Sequence, residues 1–250
     1  MAKSMAKVDA YIKEIVSSQD LKVRNALADI KPDIRYMLAV RGYVRFHKRI
    51  NKRWAMTESE VATFKKTPAS AQIIKDIKSI KKTFRNNNKN IGEGANKKSY
   101  TLRASGFRSL DQQIKKYNKN KNIGTVAIQL KRKLIKELNR KKDKKEVYPD
   151  TPDTRSIALF KTWLEKVHLS STNLATPGLS DHGKIKAYDF IVMDGSKKVT
   201  SISVKTAKKV WRGEQNWQKK LNEAIVKATG TRWKGPLKKP DEPWHYVYKG

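Results

Sequence analysis

The chain of 250 residues contains no cysteine, only four histidines and only 23 acidic residues. The absence of cysteine excludes disulfide bonds and thiolate metal sites, so a metal ion would need nitrogen and oxygen ligands. No stretch reaches the roughly 18 apolar residues of a membrane-spanning helix, and the N-terminus lacks the apolar run of a signal peptide. We therefore expect no transmembrane segment, and delivery by other means to any target outside the cytoplasm.

Positive charge is in large excess. The chain has 57 lysine and arginine residues and a formal net charge of +34. Such a surplus attracts polyanions over a Debye length of about 8 Å at physiological salt. Nucleic acid, an anionic membrane surface and an anionic cell wall all qualify as partners. The lysine runs have no interleaved aromatic residues that would favour base stacking, so any contact with nucleic acid is expected to be non-specific and made to phosphates.

The spacing of apolar residues divides the chain into two parts. Residues 8–85 carry apolar residues at helical spacing among basic ones, which predicts two to four basic helices. The polar, asparagine-rich stretch 85–99 has no period and predicts a loop, which places a basic helical region at 1–90 and a second domain at 91–250. A lysine-dense insert at 114–148 interrupts that domain and predicts an exposed basic helix.

The second part mixes strand and helix patterns, so its predicted fold class is α+β. An amphipathic pattern predicts helices over 156–168 and 211–228. Alternating or β-branched runs predict strands at 100–106, 188–194, 198–205 and 244–248.

A carboxylate in one predicted strand is the first sign of a site. If residues 187–192 form a strand, Asp189 faces the same way as Ala187 and Ile191. A carboxylate in such a place costs several kcal/mol unless it is paired or bound to a metal. His182 lies in the glycine-containing loop before this strand, from which a side chain can fold back toward Asp189.

A second pair of polar residues lies near the C-terminus. Glu242 and His245 are three residues apart around Pro243, where a turn can aim both side chains into one cleft. Two histidines and one carboxylate form a recognised catalytic zinc set with a fourth position open. Glu242 would then be the base that takes a proton from water. Such spacings also arise by chance, and on spacing alone a structural role stays open.

Three ordered motifs make the zinc interpretation more specific. They are SGFRSLDQQ at 105–113, PGLSDHGKIKAYD at 177–189 and EPWHY at 242–246. In this order they resemble the signatures of the zinc D-alanyl-D-alanine carboxypeptidase and L-alanyl-D-glutamate endopeptidase family, which includes many phage endolysins. The resemblance covers roughly residues 95–250. It implies a Hedgehog/DD-peptidase-like α+β fold, in which a small antiparallel sheet with flanking helices holds a zinc ion.

The resemblance also implies roles for individual residues. It assigns zinc binding to His182, Asp189 and His245, and the role of catalytic base to Glu242. Arg108 would steady the scissile carbonyl and its developing negative charge. The same motifs give four further substrate-contact candidates: Ser105, Gln113, Ser180 and Trp244.

Two departures from the family pattern bear on these expectations. The family has glycine where this chain has Ile185, so a residue with open backbone angles is replaced by a β-branched one. This puts the geometry of the metal-binding loop in doubt. The chain between Gln113 and Ser180 is also longer than the family pattern, and the lysine-dense insert, which could cover or flank the cleft, accounts for the excess.

The implied function is hydrolysis of a D-Ala-D-Ala or L-Ala-D-Glu bond in the stem peptide of peptidoglycan. Because that substrate lies outside the cytoplasmic membrane and the chain shows no export signal, we expect a bacteriophage protein. A lysin carried in the virion tail, acting in the host periplasm or cell wall, is preferred over an endolysin released by a holin. The alternative is a structural tail or baseplate protein with a degenerate peptidase fold, which binds virion proteins, cell wall or DNA through its charge.

Overall fold

The computed structural model describes residues 2–92, 97–142, 145–238 and 241–250. The chain folds into two compact units, and each is built from two separate segments. The first unit comprises Met1–Ala55 and Leu110–Ser180, and the second comprises Met56–Ser109 and Asp181–Gly250.

The described residues form α-helices and short β-strands. The α-helices are α1 (Ala2–Ser17), α2 (Leu21–Ala28), α3 (Asp33–Arg45), α4 (His47–Arg53), α5 (Glu58–Phe64), α6 (Pro68–Asn87), α7 (Leu110–Lys119), α8 (Lys121–Leu138), α9 (Thr154–Lys166), α10 (Ala207–Trp211) and α11 (Trp217–Thr229). The strands are β1 (Tyr100–Ser105), β2 (Lys141–Lys142), β3 (Lys145–Glu146), β4 (Ala187–Asp194), β5 (Lys197–Lys198), β6 (Trp233–Lys234) and β7 (His245–Tyr248). Within the described part of the chain, no helix combines the length and the apolar character needed to cross a membrane.

The first unit is helical and contains α1–α4 and α7–α9. Helix α8 runs through its core, and the buried residues along one face are Ile123, Val126, Ala127, Leu130, Leu134 and Leu138. The prediction of an exposed basic helix in the 114–148 insert is therefore wrong for that face, because its apolar spacing is used for packing. Arg132 and Lys136 on the same helix are exposed, as expected. Residues 143 and 144 of this segment lie outside the described residues.

The second unit contains a small antiparallel sheet in the order β1-β4-β7-β6, with β5 paired to β4. This confirms the predicted α+β class and the small antiparallel sheet. Helices α6 and α11 pack on each other, and α6 also packs on β1. The core of the unit is rich in aromatic side chains, which include Tyr188, Phe190, Trp211, Trp217, Trp233 and Tyr246.

Several local predictions can be compared with these elements. Thr57 begins α5 with a capping box to Glu60, and Thr67 caps α6 with Pro68 in its first turn. The prediction of two to four N-terminal helices is wrong, because Pro32 and the segment around Trp54 divide that region into shorter helices. The predicted strand at 198–205 is also wrong: β5 ends at Lys198, and Val204–Thr206 form a 3₁₀ turn.

The predicted domain boundary differs from the division into units. Helix α6 continues to Asn87, and an antiparallel bridge joins Ile91 to Lys98, so much of the stretch 85–99 is ordered within the second unit. Residues 93–96 of this stretch lie outside the described residues. The lysine-dense insert belongs to the same unit as the N-terminal helices. Sequence pattern could not indicate this, because periodicity reports local structure and not which distant segments share a core.

Candidate metal centre

Three strands bring one polar residue from each of the three motifs into one row. Strand β4 lies between β1 and β7, and Asp189 is paired with Ser105 on one side and with His245 on the other. Directly opposite residues of antiparallel neighbours project to the same face of the sheet. The register therefore places the Asp189 and His245 side chains next to each other, with Ser105 in the same row.

A short 3₁₀ turn, Asp181–Lys184, supplies the second histidine. The backbone N–H of Arg108 donates to the His182 carbonyl at 3.4 Å, and the Met56 N–H donates to the Gly183 carbonyl at 2.9 Å. These two bonds hold the turn from both sides. Glu242 and His245 are joined in a second turn, in which the His245 N–H donates to the Glu242 carbonyl at 3.1 Å.

The side chains of His182, Asp189 and His245 meet in a buried group. His245 Nδ1 is 2.9 Å from Asp189 Oδ1, and His182 Nε2 is 3.3 Å from Asp189 Oδ2. One ligand atom from each residue lies within 4.8 Å of the others, and each residue is at most 6% exposed. It is the one group of three or more potential metal ligands found among the residues that the structure describes.

The chemistry of this group fits a divalent metal ion. Two imidazole nitrogens and a carboxylate are all lone-pair donors once the histidines are neutral. Nε2 is the nitrogen of His182 that contacts the carboxylate. Nδ1, on the other side of the ring, is buried and has no hydrogen-bond partner among the described residues. The buried group could therefore hold a metal ion through His182 Nε2, an Asp189 oxygen and His245 Nδ1.

The histidines keep the carboxyl group of Asp189 ionised. Burial by itself raises the pKa of this carboxyl, but hydrogen bonds and charge from His182 and His245 outweigh burial and hold the pKa well below its usual range. Arg108 Nη2 is also 3.2 Å from Asp189 Oδ2. An ionised carboxylate is the form that binds a metal.

Glu242 lies at the edge of the group and is more accessible than the three predicted ligands. Its side chain is 26% exposed, and Oε2 is 3.8 Å from His245 Nδ1. Burial and then the charge of Asp189 raise the pKa of Glu242, while His245 and Arg108 act in the opposite direction. A carboxylate whose pKa is raised toward neutrality is better suited to both accept and return a proton.

Ile185 adopts the backbone conformation that a glycine would favour. Its φ is 62°, and its side chain is fully buried. A β-branched residue at such an angle is strained, by about 1–2 kcal/mol in the left-handed region. The loop after His182 therefore keeps a left-handed turn with isoleucine where the family motif has glycine.

The remaining predicted site residues are in different surroundings. Gln113 and Ser180 belong to the first unit, where Gln113 Oε1 accepts a hydrogen bond from the Gly178 N–H at 3.0 Å. Trp244 is only 3% exposed, and its ring centroid is 6.1 Å from that of Trp211. Trp244 is thus a packing residue of the second unit, and Ser105 is the one of these four that lies in the Asp189 row.

Two features of the site were not expected from sequence. Arg212 binds Asp241 through both guanidinium Nη atoms, with Nη1 2.7 Å from Oδ2, and Asp241 directly precedes Glu242. No sequence signal indicated this pairing, because the two residues are far apart in the chain. At Gly106, an added Cβ would lie 3.0 Å from the Tyr188 ring, and the glycine in the first motif was the signal that could have indicated this close approach.

Comparison of the chain with models of known protein families, with curated proteins and with solved structures gives no match. The family resemblance therefore stays a prediction from three motifs. The buried group of two histidines and an aspartate is a separate observation, which depends on the fold and not on that resemblance.

Proposed function

We propose that the protein is a zinc-dependent peptidase with a Hedgehog/DD-peptidase-like fold, which hydrolyses a D-Ala-D-Ala or L-Ala-D-Glu bond in the stem peptide of peptidoglycan. The observation that carries the proposal is the buried convergence of His182, Asp189 and His245. These residues come from two separate motifs, and their order along the chain is that of the family signature.

His182, Asp189 and His245 would hold the metal, and their two nitrogens and one oxygen are a ligand set that zinc accepts in hydrolytic enzymes. A divalent ion bound there supplies Lewis acidity, which polarises a carbonyl group and lowers the pKa of water. The protein's part is to keep both imidazoles and the carboxylate fixed. The Asp189–His245 strand pairing and the two backbone bonds to the His182 turn support this fixation.

Glu242 is the proposed general base. Its carboxylate takes a proton from the water whose oxygen attacks the peptide carbonyl carbon, and then returns that proton to the nitrogen of the leaving amine as the C–N bond breaks. The position of Oε2 beside His245 and its partial exposure support this role, because the carboxylate can reach both the group and an incoming peptide.

Arg108 is proposed to stabilise the negative charge that develops on the carbonyl oxygen. Its guanidinium lies beside Asp189, and a guanidinium has five N–H donors in a planar fork. It can therefore contact Asp189 and a substrate oxygen at the same time. Preorganised donors of this kind contribute about 3–4 kcal/mol to the stabilisation of a transition state.

The setting proposed for this activity is a bacteriophage lysin, carried in the virion tail and acting in the host periplasm or cell wall. The resemblance to phage endolysins and the net charge of +34 support it, because peptidoglycan is embedded among anionic polymers. Other virion proteins are the partners expected in this setting.

Mass spectrometry of purified muropeptides tests the proposal and identifies the bond. Zinc-loaded wild type should release D-alanine or split the L-Ala-D-Glu bond, and Glu242→Gln, which keeps the shape of the side chain, should lower the rate at least about 100-fold. The matched control is Glu223→Gln on α11, an exposed glutamate outside the centre. Loss of activity in the control, or full activity in Glu242→Gln, would refute the assignment of the base.

The alternative is a structural tail or baseplate protein that keeps the fold and the metal but has no activity. The strained backbone of Ile185 beside His182 is the observation that favours it, since strain can displace a ligand. It predicts a metal-loaded wild type that leaves every muropeptide intact.

A further inference from the structure

A cluster of cations surrounds one aromatic ring in the first unit. The guanidinium groups of Arg45 and Arg49 lie 5.3 Å and 5.0 Å from the centroid of the Phe46 ring. Lys48 and Lys52, on α4, are exposed, as are both arginines. We call the surface formed by Arg45, Phe46, Lys48, Arg49 and Lys52 the Phe46 patch.

The fold adds to this charge and does not neutralise it. Lys22, from α2, donates to Asn51 Oδ1 at 2.6 Å and so reaches α4. The sequence has no aspartate or glutamate between Asp33 and Glu58. Among the described residues, no carboxylate forms an ion pair with the four cations of the patch. The patch is therefore a compact region of uncompensated positive charge.

The contacts with Phe46 restrict the two arginines. A guanidinium over an aromatic face is held by cation–π attraction, while its N–H groups point outward in the plane of the fork. This arrangement leaves the donors able to bind a phosphate through two parallel hydrogen bonds. Two arginines restricted in this way, with lysines beside them, form a preorganised surface for a row of phosphates. A flexible basic tail would lack this preorganisation.

We propose that the Phe46 patch binds the phosphate backbone of double-stranded nucleic acid without reading its sequence. Duplex DNA carries one negative charge per about 1.7 Å of its axis, which is the densest regular array of phosphates that such a patch could meet. The partner is identified by charge complementarity: the patch offers phosphate donors and no groups arranged to read base edges.

The surface of the protein disfavours two other anionic partners. Single strands are held by stacking bases on exposed aromatic rings, and no tryptophan, tyrosine or phenylalanine in the described ranges is exposed. A membrane surface would be bound by apolar side chains inserted beside the cations. None of the exposed large hydrophobic residues falls within 45–53, where Ile50 is buried.

This binding does not depend on the proposed peptidase. All residues of the patch belong to the first unit, whereas the metal centre belongs to the second. The two proposals can therefore fail separately: a protein that cleaves muropeptides and does not bind duplex DNA refutes only this inference.

The test is the affinity of the full chain for a short DNA duplex, measured by fluorescence anisotropy over a range of salt concentrations. Arg45→Gln/Arg49→Gln should weaken binding at least about tenfold near 0.1 M salt and reduce the slope of log K against log salt by about 2, one for each lost phosphate contact. The matched control, Arg85→Gln/Arg103→Gln, removes two exposed arginines from the second unit, with the same change in net charge. It should leave the slope nearly unchanged.

A second variant keeps the test interpretable if the arginine double variant misfolds. Lys48→Gln/Lys52→Gln removes two exposed charges and keeps the Arg45–Phe46–Arg49 contacts, so it should fold and should also reduce the slope by about 2. Equal losses in the patch variants and the arginine control would mean that binding is spread over the whole surface, and would overturn the proposal. It is equally overturned if the wild type does not bind the duplex, or prefers a single strand of the same sequence or phosphatidylglycerol vesicles.

Discussion

Among single residues, Asp189 is central to the candidate metal centre, because it contacts both histidines and Arg108. This buried carboxylate has one guanidinium and two imidazoles within 3.3 Å as hydrogen-bonding or ionic partners. Metal binding requires that the two imidazole nitrogens facing the carboxylate carry no proton. Metal affinity should therefore fall as the solution is acidified.

Asp189→Asn should lower zinc affinity at least about 100-fold, because an amide oxygen is a much weaker ligand than a carboxylate. Competition against a fluorescent chelator measures the change. Asp194→Asn is the matched control: it is the same substitution at the other end of β4, where Asp194 contacts Lys98 at 3.4 Å. An equal loss in both variants would show that zinc binds elsewhere on the chain.

Ile185 allows backbone strain to be measured separately from packing. Ile185→Ala and Ile185→Gly both remove the buried side chain, but only glycine relaxes the left-handed conformation. The glycine variant should be more stable than the alanine variant by about 1 kcal/mol in urea denaturation, the reverse of their order in a helix. If alanine is the more stable, the residue is not strained.

Sequence predicted the convergence of three polar side chains because each lies in a motif with fixed spacing. His182, Asp189 and His245 are brought together as expected. The burial of Trp244 against Trp211 and the contact of Arg108 with Asp189 were not predicted, because both depend on side-chain packing between segments that are distant in the chain. A residue type in a motif indicates chemistry, but not which neighbour it contacts.

Among the elements of the second unit, helix α6 is fastened to the sheet by an ion pair between a buried carboxylate and a partly exposed arginine. Asp76 is 2% exposed and accepts two hydrogen bonds from Arg232, at 2.8 and 2.9 Å, one from Trp233 Nε1 and one from Gln72. Burial opposes ionisation of Asp76, but these four hydrogen bonds lower its pKa overall. The charged form is therefore the one that holds α6 to β6.

Asp76→Asn should destabilise the protein by about 2 kcal/mol near neutral pH, because a neutral amide replaces the buried carboxylate that accepts charge-assisted hydrogen bonds from Arg232, whose side chain is 43% exposed. Since the folded pKa lies below the unfolded value of about 3.9, this contribution is complete above that pH and is lost as pH falls through the folded pKa. The stability gap between wild type and variant should therefore close in acid. A gap that is constant from pH 7 to pH 2 would contradict the assignment.

Substitutions in helix α8 can show whether the lysine-dense segment is an exposed insert or part of a core. Leu130 is fully buried, whereas Ile128 on the same helix is 47% exposed. Leu130→Ala should cost about 3 kcal/mol of unfolding free energy, and Ile128→Ala should change it by less than about 0.5 kcal/mol. Similar small effects for both would mean that the helix is peripheral.

At the scale of the whole molecule, the division into two discontinuous units is the feature that sequence pattern missed. Local periodicity predicted the α+β class, because apolar spacing is a property of neighbouring residues. Which segments share a core is decided by packing between residues far apart in the chain. Helices α1–α4 and the segment 110–180 form one unit for this reason, and the residues of the candidate metal centre lie in the other.

Three side chains of the second unit, His182, Asp189 and His245, are proposed to form a zinc site. Anomalous diffraction at the zinc absorption edge, from crystals grown with equimolar zinc, tests it most directly and does not depend on activity. We expect one strong peak, about 2.0–2.2 Å from His182 Nε2, from an Asp189 oxygen and from His245 Nδ1. A peak elsewhere on the chain, or no peak at full zinc loading, would contradict the account.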